Sequence, residues 1–271
     1  MITTIGGVAA IDIPQGDRIN VDLDPAATLA AYARHRRRFA LEVGSLDEAA
    51  LAVQSRCSEW SVADVLRHGC DVDGWMRSIW AGEALPFTSF DPRTTPKEFV
   101  LAGRVIPDAE VRDRYAASAE TMAADVGTSG SERWGLTSIS PLGFVPWWQS
   151  ALHVFYDSWV HERDALLPLG VSIPVVADEA VPVLAYSLAV AGTLIHEPTD
   201  AVVAGVHLVT SERPPIAAPV TLDTDADDDD DDGTATIIDA LSGRGALGNA
   251  LAGTDPGVVH RVGALARMLQ S

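Results

Sequence analysis

EWSVADVLRHGCDVDGWM, residues 59–76, is the stretch whose reading decides the fold. Ser61 stands where a helix cap belongs, and Asp64 three residues later makes a relative of the capping box. Trp60 and Val65 flank the cap at the spacing of a hydrophobic staple. From there Val62, Val65, Leu66, Gly69, Val72 and Met76 recur at helical spacing and form one apolar face. The spacing predicts a long amphipathic helix ending near Gly82, with His68 at the edge of its buried face. Such a helix needs partners of the same kind.

A second segment, HVFYDSWVHERDALLPLG at 153–170, supplies one. Pro146 marks its start, and Pro168 and Gly170 end it near Leu167. His153, Asp157 and His161 are four apart, and Asp164 follows three later. On a helix, residues four apart lie one turn apart on one face, so Asp157 with His161, or His153 with Asp157, can reach one ion. All three together are not expected to share it, because His153 and His161 are about 12 Å apart along the axis. A third ligand must come from another helix, and His68 is the best candidate. Two imidazoles and a carboxylate drawn from two helices leave open coordination positions, as catalytic metal sites do. That donor set suits zinc, iron, nickel or manganese, and the sequence does not choose among them.

Between and around these segments the chain reads as further helices. Asp24 and Pro25 start one over AATLAAYARHRRRFALEVG, where His35 among arginines reads as a surface residue. SLDEAALAV at 45–53 is short. Residues 83–107, with four prolines, read as a long surface connection covering a site. Helices follow over Asp108–Val126 and 177–195. The apolar run inside the last, VPVLAYSLAVAGTLI, is too short to span a bilayer and reads as buried. After about 200 the texture changes: GVHLVT, PVTLDT and TATIID read as strands, and two helix-like segments close the chain. The resulting fold class is α+β, with a helical part over 1–198 and a smaller α/β part over 199–271.

With 19 basic and 38 acidic residues the net charge is 19 − 38 = −19. Such a body repels phosphate backbones and anionic lipid, which excludes nucleic acid and membrane surfaces as partners. Eight aspartates fall between Asp223 and Asp232. They read as a solvated loop; a calcium loop would need a spaced glycine and a closing glutamate. Cys57 and Cys70 are too few for a disulfide framework and read as reduced thiols of a cytoplasmic protein. The first residues carry no basic stretch before an apolar run, so no signal peptide is expected.

The segment WSVADVLRHGCDVDGW resembles the first motif helix of the mycothiol-dependent maleylpyruvate isomerase family, and DSWVHERDALLPLG resembles its later Glu-x-x-x-His-x-x-Asp helix. The motifs stand about 90 residues apart in the family's order. The resemblance implies a DinB-like metal-binding four-helix bundle followed by a small C-terminal α/β domain. It implies metal ligation by His68, Asp157 and His161, with Asp164 as an orienting group. Asp157 departs from the family's usual glutamate and reaches about 1.5 Å less far, which keeps His153 as an alternative ligand. The family's Gly-Arg near the end is replaced by Gly253-Thr254.

The resemblance further implies mycothiol as a small-molecule thiol cosubstrate and an electrophilic partner. The reaction would be thiol transfer or exchange on a natural product or xenobiotic, or thiol-assisted isomerisation, in a monomer or homodimer. Neither cysteine reads as an internal nucleophile. Trp147 and Trp148, after a proline turn, and Arg77 are candidates to line a cosubstrate pocket. The competing expectation is a non-enzymatic DinB-like protein that binds a ligand or partner through a degenerate metal site.

Overall fold

The computed structural model describes residues 4–5, 8–9, 20–21, 23–87, 90–140, 143–194, 199–203, 206–210, 219–222 and 231–269. The chain forms two compact units that interleave in sequence. Unit one comprises Met1–Asp12, Leu29–Trp134 and Asp157–Pro174; unit two comprises Ile13–Thr28, Gly135–Tyr156 and Val175–Ser271.

Unit one is built on long helices. After a two-residue hairpin, β1 (Thr4–Ile5) with β2 (Val8–Ala9), come α1 (Pro25–Gly44), α2 (Glu48–Leu51), α3 (Val62–Ala81), α4 (Thr95–Gly103), α5 (Asp108–Gly127) and α6 (Ser131–Trp134). The second half of α7 (Trp147–Leu166) also belongs to this unit. Helix α3 begins as its sequence requires. Ser61 Oγ accepts from the Asp64 amide at 3.2 Å, and Asp64 accepts from the Ser61 amide at 3.1 Å, a reciprocal capping box. Gly82 closes the helix at φ 73°, a left-handed conformation that a Cβ would strain. The apolar face of α3 enters a cluster with Phe39 and Val43 of α1, Val111 and Tyr115 of α5, and Ala165 and Leu166 of α7; Trp60 packs against its edge.

Unit two carries the sheet. Strands β6 (Thr199–Val203), β7 (Val206–Thr210) and β8 (Pro219–Leu222) are antiparallel neighbours, and β3 (Asn20–Val21) adds to β8 in parallel, giving the order β3-β8-β7-β6. A separate hairpin pairs β4 (Thr137–Ser140) with β5 (Gly143–Pro146). Helices α8 (Ala177–Thr193), α9 (Asp231–Leu241), α10 (Leu247–Ala250), α11 (Pro256–Val262) and α12 (Ala264–Leu269) complete it. The molecule is therefore a helical assembly with a small α/β portion, the expected class. No described helix is long and apolar enough to cross a membrane.

Several local expectations are corrected. TATIID forms no strand: it lies inside α9, whose first two residues are Asp231 and Asp232, while 223–230 of the acidic run lie outside the described residues. Ala235, Ile238 and Leu241 are buried at helical spacing, which a strand could not place on one face. The 83–107 connection contains α4, and its Phe87, Phe90 and Phe99 gather around Trp75 at ring separations of 5.1–6.2 Å. His35 is not on the surface but fully buried. Its Nε2 meets Ser158 Oγ at 2.9 Å, and its Nδ1 lies 3.4 Å from Glu162. Beside it, buried Arg36 pairs with Asp73 at 2.5 Å and reaches Ser158 and Tyr115. A run of arginines looks solvated in sequence; here α3, α5 and α7 offer enough acceptors to bury part of it.

Candidate metal centre

The cap at Ser61 sets the rotation of α3, and that rotation turns His68 inward, its side chain 8% exposed. On α7 the four-residue spacing stacks Asp157 and His161 on one face, 18% and 13% exposed. The three converge. Asp157 Oδ1 lies 3.4 Å from His68 Nε2 and 3.6 Å from His161 Nε2, and the donor atoms of all three lie within 4.8 Å of one another. The two imidazoles meet edge to face with centroids 4.9 Å apart. Trp60 covers the pair, its ring 5.1 Å from His68 and 6.1 Å from His161.

These separations test whether the residues fit a cation. A tetrahedral zinc with bonds of about 2.1 Å holds its nitrogen and oxygen ligands ~3.4 Å apart. The 3.4 and 3.6 Å edges match that geometry, so aspartate in place of glutamate reaches far enough. The other face of His161 is also prepared. Its Nδ1 lies 3.0 Å from Asp164 Oδ2. Asp164 is fully buried, and the same oxygen accepts from the Cys57 thiol at 3.2 Å. A carboxylate behind a ligating imidazole fixes tautomer and orientation.

The charges follow from this packing. Burial pulls the His161 pKa down, but the Asp157 charge, the hydrogen bond to Asp164 and Cys57 outweigh it, and the net shift is up to about 10. Burial pushes the Asp71 carboxyl, one turn beyond His68, up to about 6, with His68 partly offsetting it. Burial, then the charges of Asp73 and Asp71, push the Cys70 thiol up to about 12 and make it inert.

Other sequence candidates lie elsewhere. His153 is in unit two, its ring 5.7 Å from Tyr186, and it is not among the groups whose donors converge. Trp147 and Trp148 are also in unit two and are buried at 3% and 8% exposure, as core aromatics are. Arg77 is exposed and faces a shallow cleft with Gly74, Ser78 and Glu83, about 13.5 Å along α3 from His68. Sequence reasoning missed Cys57. With His161 and Asp164 it forms a second group of donors within 4.8 Å of one another. It precedes the α3 cap, so no helical spacing relates it to His161; the only local signal was its place three residues before Trp60.

The comparisons with known proteins bear on the family and the fold. Residues 32–166 match the family described as "Mycothiol maleylpyruvate isomerase N-terminal domain". Among solved structures, that of a mycothiol-dependent maleylpyruvate isomerase is similar over 83% of this chain and 91% of its own, at 16% identity and a TM-score of 0.54. A histidine-to-alanine mutant of a mycothiol-dependent maleylpyruvate isomerase gives the same coverage and identity with a TM-score of 0.53. At that identity the likeness concerns the fold. No curated protein matches the chain. The matched region holds α3, the second half of α7 and every residue of the convergent cluster, and through it the chain belongs to the mycothiol maleylpyruvate isomerase N-terminal domain family.

Proposed function

We propose that the chain is a thiol-dependent metalloenzyme. It would use mycothiol as cosubstrate and act on an electrophilic small molecule by thiol transfer or by thiol-assisted isomerisation. The single observation that carries this reading is the convergence of His68 Nε2, Asp157 Oδ1 and His161 Nε2 at tetrahedral-edge separations beneath Trp60.

His68, Asp157 and His161 would hold the cation, with zinc favoured by two imidazoles and one carboxylate. When bound, a divalent ion favours thiolate formation on the cosubstrate near neutral pH and polarises a carbonyl. The chain's own residues do the rest. Asp164 holds a proton at His161 Nδ1, so that once the Nε2 proton has left, the Nε2 lone pair is aimed at the Asp157 side. Trp60 shields both rings from water on one face. The carboxylates of Asp157 and Asp164 keep His161 protonated in the metal-free protein, so the proton at Nε2 must leave when a cation takes its place. Cys70 supplies no nucleophile, since burial keeps it a thiol. A cosubstrate thiolate adds to a carbon–carbon double bond conjugated to a carbonyl and turns it into an enolate; rotation and expulsion of the thiolate re-form the double bond as its isomer, whereas a proton from solvent on the enolate carbon leaves the thioether of transfer.

The test is turnover of maleylpyruvate and of a generic thiol-reactive electrophile by zinc-loaded protein with mycothiol, before and after chelation. The expected result is thiol-dependent turnover that chelation and the His68→Ala substitution abolish. Equal turnover before and after chelation, or none by the loaded protein, overturns the proposal. The second outcome would favour a binding protein built on the same bundle.

A further inference from the structure

We propose that Cys57, His161 and Asp164 form a second cation seat, built for a thiophilic divalent ion and excluding the first because both depend on the imidazole of His161. The proposal shares His161 with the reading above, but it rests on different atoms. The Cys57 thiol donates to Asp164 Oδ2 at 3.2 Å, and His161 Nδ1 lies 3.0 Å from the same oxygen. The donors of the three residues lie within 4.8 Å of one another.

The loop that carries Cys57 is held in place from several sides. The Cys57 amide donates to Ser55 Oγ at 3.1 Å, and Gln54 Nε2 donates to the Cys57 carbonyl at 2.7 Å. The Arg56 amide donates to the Asp164 carbonyl at 3.1 Å, tying the loop to α7. Arg56 Nε lies 3.8 Å from Asp164 Oδ1, the oxygen that the other two donors do not use. The thiol is thus presented to the site by a pinned backbone.

Thiolate, imidazole and carboxylate together are softer than the donor set of the first seat and suit zinc, cadmium or cobalt. A tetrahedral zinc with a sulfur at about 2.3 Å and an oxygen at about 2.0 Å separates them by ~3.5 Å. The present 3.2 Å is a hydrogen-bond separation, so the group opens by a few tenths of an ångström as the ion enters. The protons balance: the thiol proton of Cys57 and the Nδ1 proton of His161 go to solvent, and the cation takes their place.

Exclusion follows from the ring. A neutral imidazole has one lone pair, so ligation through Nδ1 puts the remaining proton on Nε2. That nitrogen faces Asp157 at 3.6 Å and is needed in the first seat. Occupying the second seat therefore disarms the first. Cys57 becomes a means of parking the cation away from the open position.

The experiment titrates the metal-free full chain with Co²⁺ and follows the ultraviolet sulfur-to-cobalt charge-transfer band. Asp157→Asn and His68→Ala each disable the first seat; Asp157 is partly exposed, so its variant covers the case in which His68→Ala fails to fold. Both are expected to bind cobalt with the full band. Cys57→Ser is expected to lose the band entirely in every background, and Cys70→Ser to keep it. Zinc is expected to protect Cys57 from alkylation in Asp157→Asn. Cobalt bound by Asp157→Asn without the band, no binding by that variant, or a band that survives Cys57→Ser overturns the second seat. A visible cobalt spectrum in the wild type that persists in Cys57→Ser leaves the first seat standing alone, so the two readings fail separately.

Discussion

Gly69 tests how closely the site depends on the packing behind it. It is a buried residue of α3 and the neighbour of His68. A Cβ placed there would lie 2.4 Å from Tyr115 Cε2 and 3.0 Å from its Cδ2. Carbon atoms prefer about 3.5–4.0 Å, so Gly69→Ala creates an overlap of roughly 1 Å. Tyr115 cannot simply swing away. It is 2% exposed, accepts from Arg36 Nη1 at 3.2 Å, and stands edge to face with Phe39 at 5.1 Å. Moving the ring forfeits about 1 kcal/mol of hydrogen bond and about 0.5–1.5 kcal/mol of aromatic contact. Moving α3 instead incurs an overpacking cost of about 1–3 kcal/mol. Alanine returns about 1 kcal/mol of helix propensity. The net expectation is a loss of roughly 0.5–1.5 kcal/mol, read as a lower urea midpoint with unchanged slope. If α3 yields, His68 moves with it, the 3.4 Å edge to Asp157 opens, and cobalt affinity falls as well. A Gly69→Ala protein with a midpoint at or above the wild type would refute the reasoning.

Other predictions bear on charge. Asp164→Asn removes the acceptor behind His161 and is expected to weaken zinc binding about 10–100-fold by calorimetry. The raised His161 pKa adds stability to the metal-free protein that is complete below about 6.5 and lost as pH rises through about 10; Asp157→Asn should lose less stability across that window in thermal melts. Glu162 is shifted the other way: burial raises its pKa, but His35 and Arg38 outweigh it, so the net shift is down. Its contribution is present above the ordinary glutamate value and lost as pH falls through the depressed one, and Glu162→Gln should show a shallower acid limb in pH-dependent melts. Arg36→Met leaves the buried Asp73 carboxylate without its cation, at an expected 3–5 kcal/mol by denaturant titration, roughly the cost of breaking a buried pair. Pairing it with Asp73→Leu should recover most of that loss.

The parts of this protein that were legible in sequence are those written in local spacing. The capping box at Ser61 and Asp64 is a three-residue signal, and the structure forms both of its hydrogen bonds. The ends of α7 followed from Pro146 and from Pro168 with Gly170, which adopts φ 74°. Readings that depended on what lies opposite a residue were less secure. His35 and Arg36 look like part of a solvated basic face until Ser158, Glu162 and Asp73 are brought against them. TATIID has the composition of a strand, but it joins α9, which buries Ala235, Ile238 and Leu241 at helical spacing.

The site divides along the same line. By itself the sequence determined that Asp157 and His161 share a helix face, because a four-residue step is a property of one helix and needs no partner. It also set His68 beside an apolar face, because the cap and the periodicity orient α3. It left His153 and Asp157 equal, since both stand one turn from a histidine or carboxylate neighbour. Only the tertiary structure brings Asp157 within 3.4 Å of His68 and sets His153 against Tyr186. Only it brought Cys57 to Asp164, across 107 residues of chain. Contacts within a helix are fixed by backbone geometry, whereas those between segments depend on how buried faces pack, and no spacing in the chain encodes that distance.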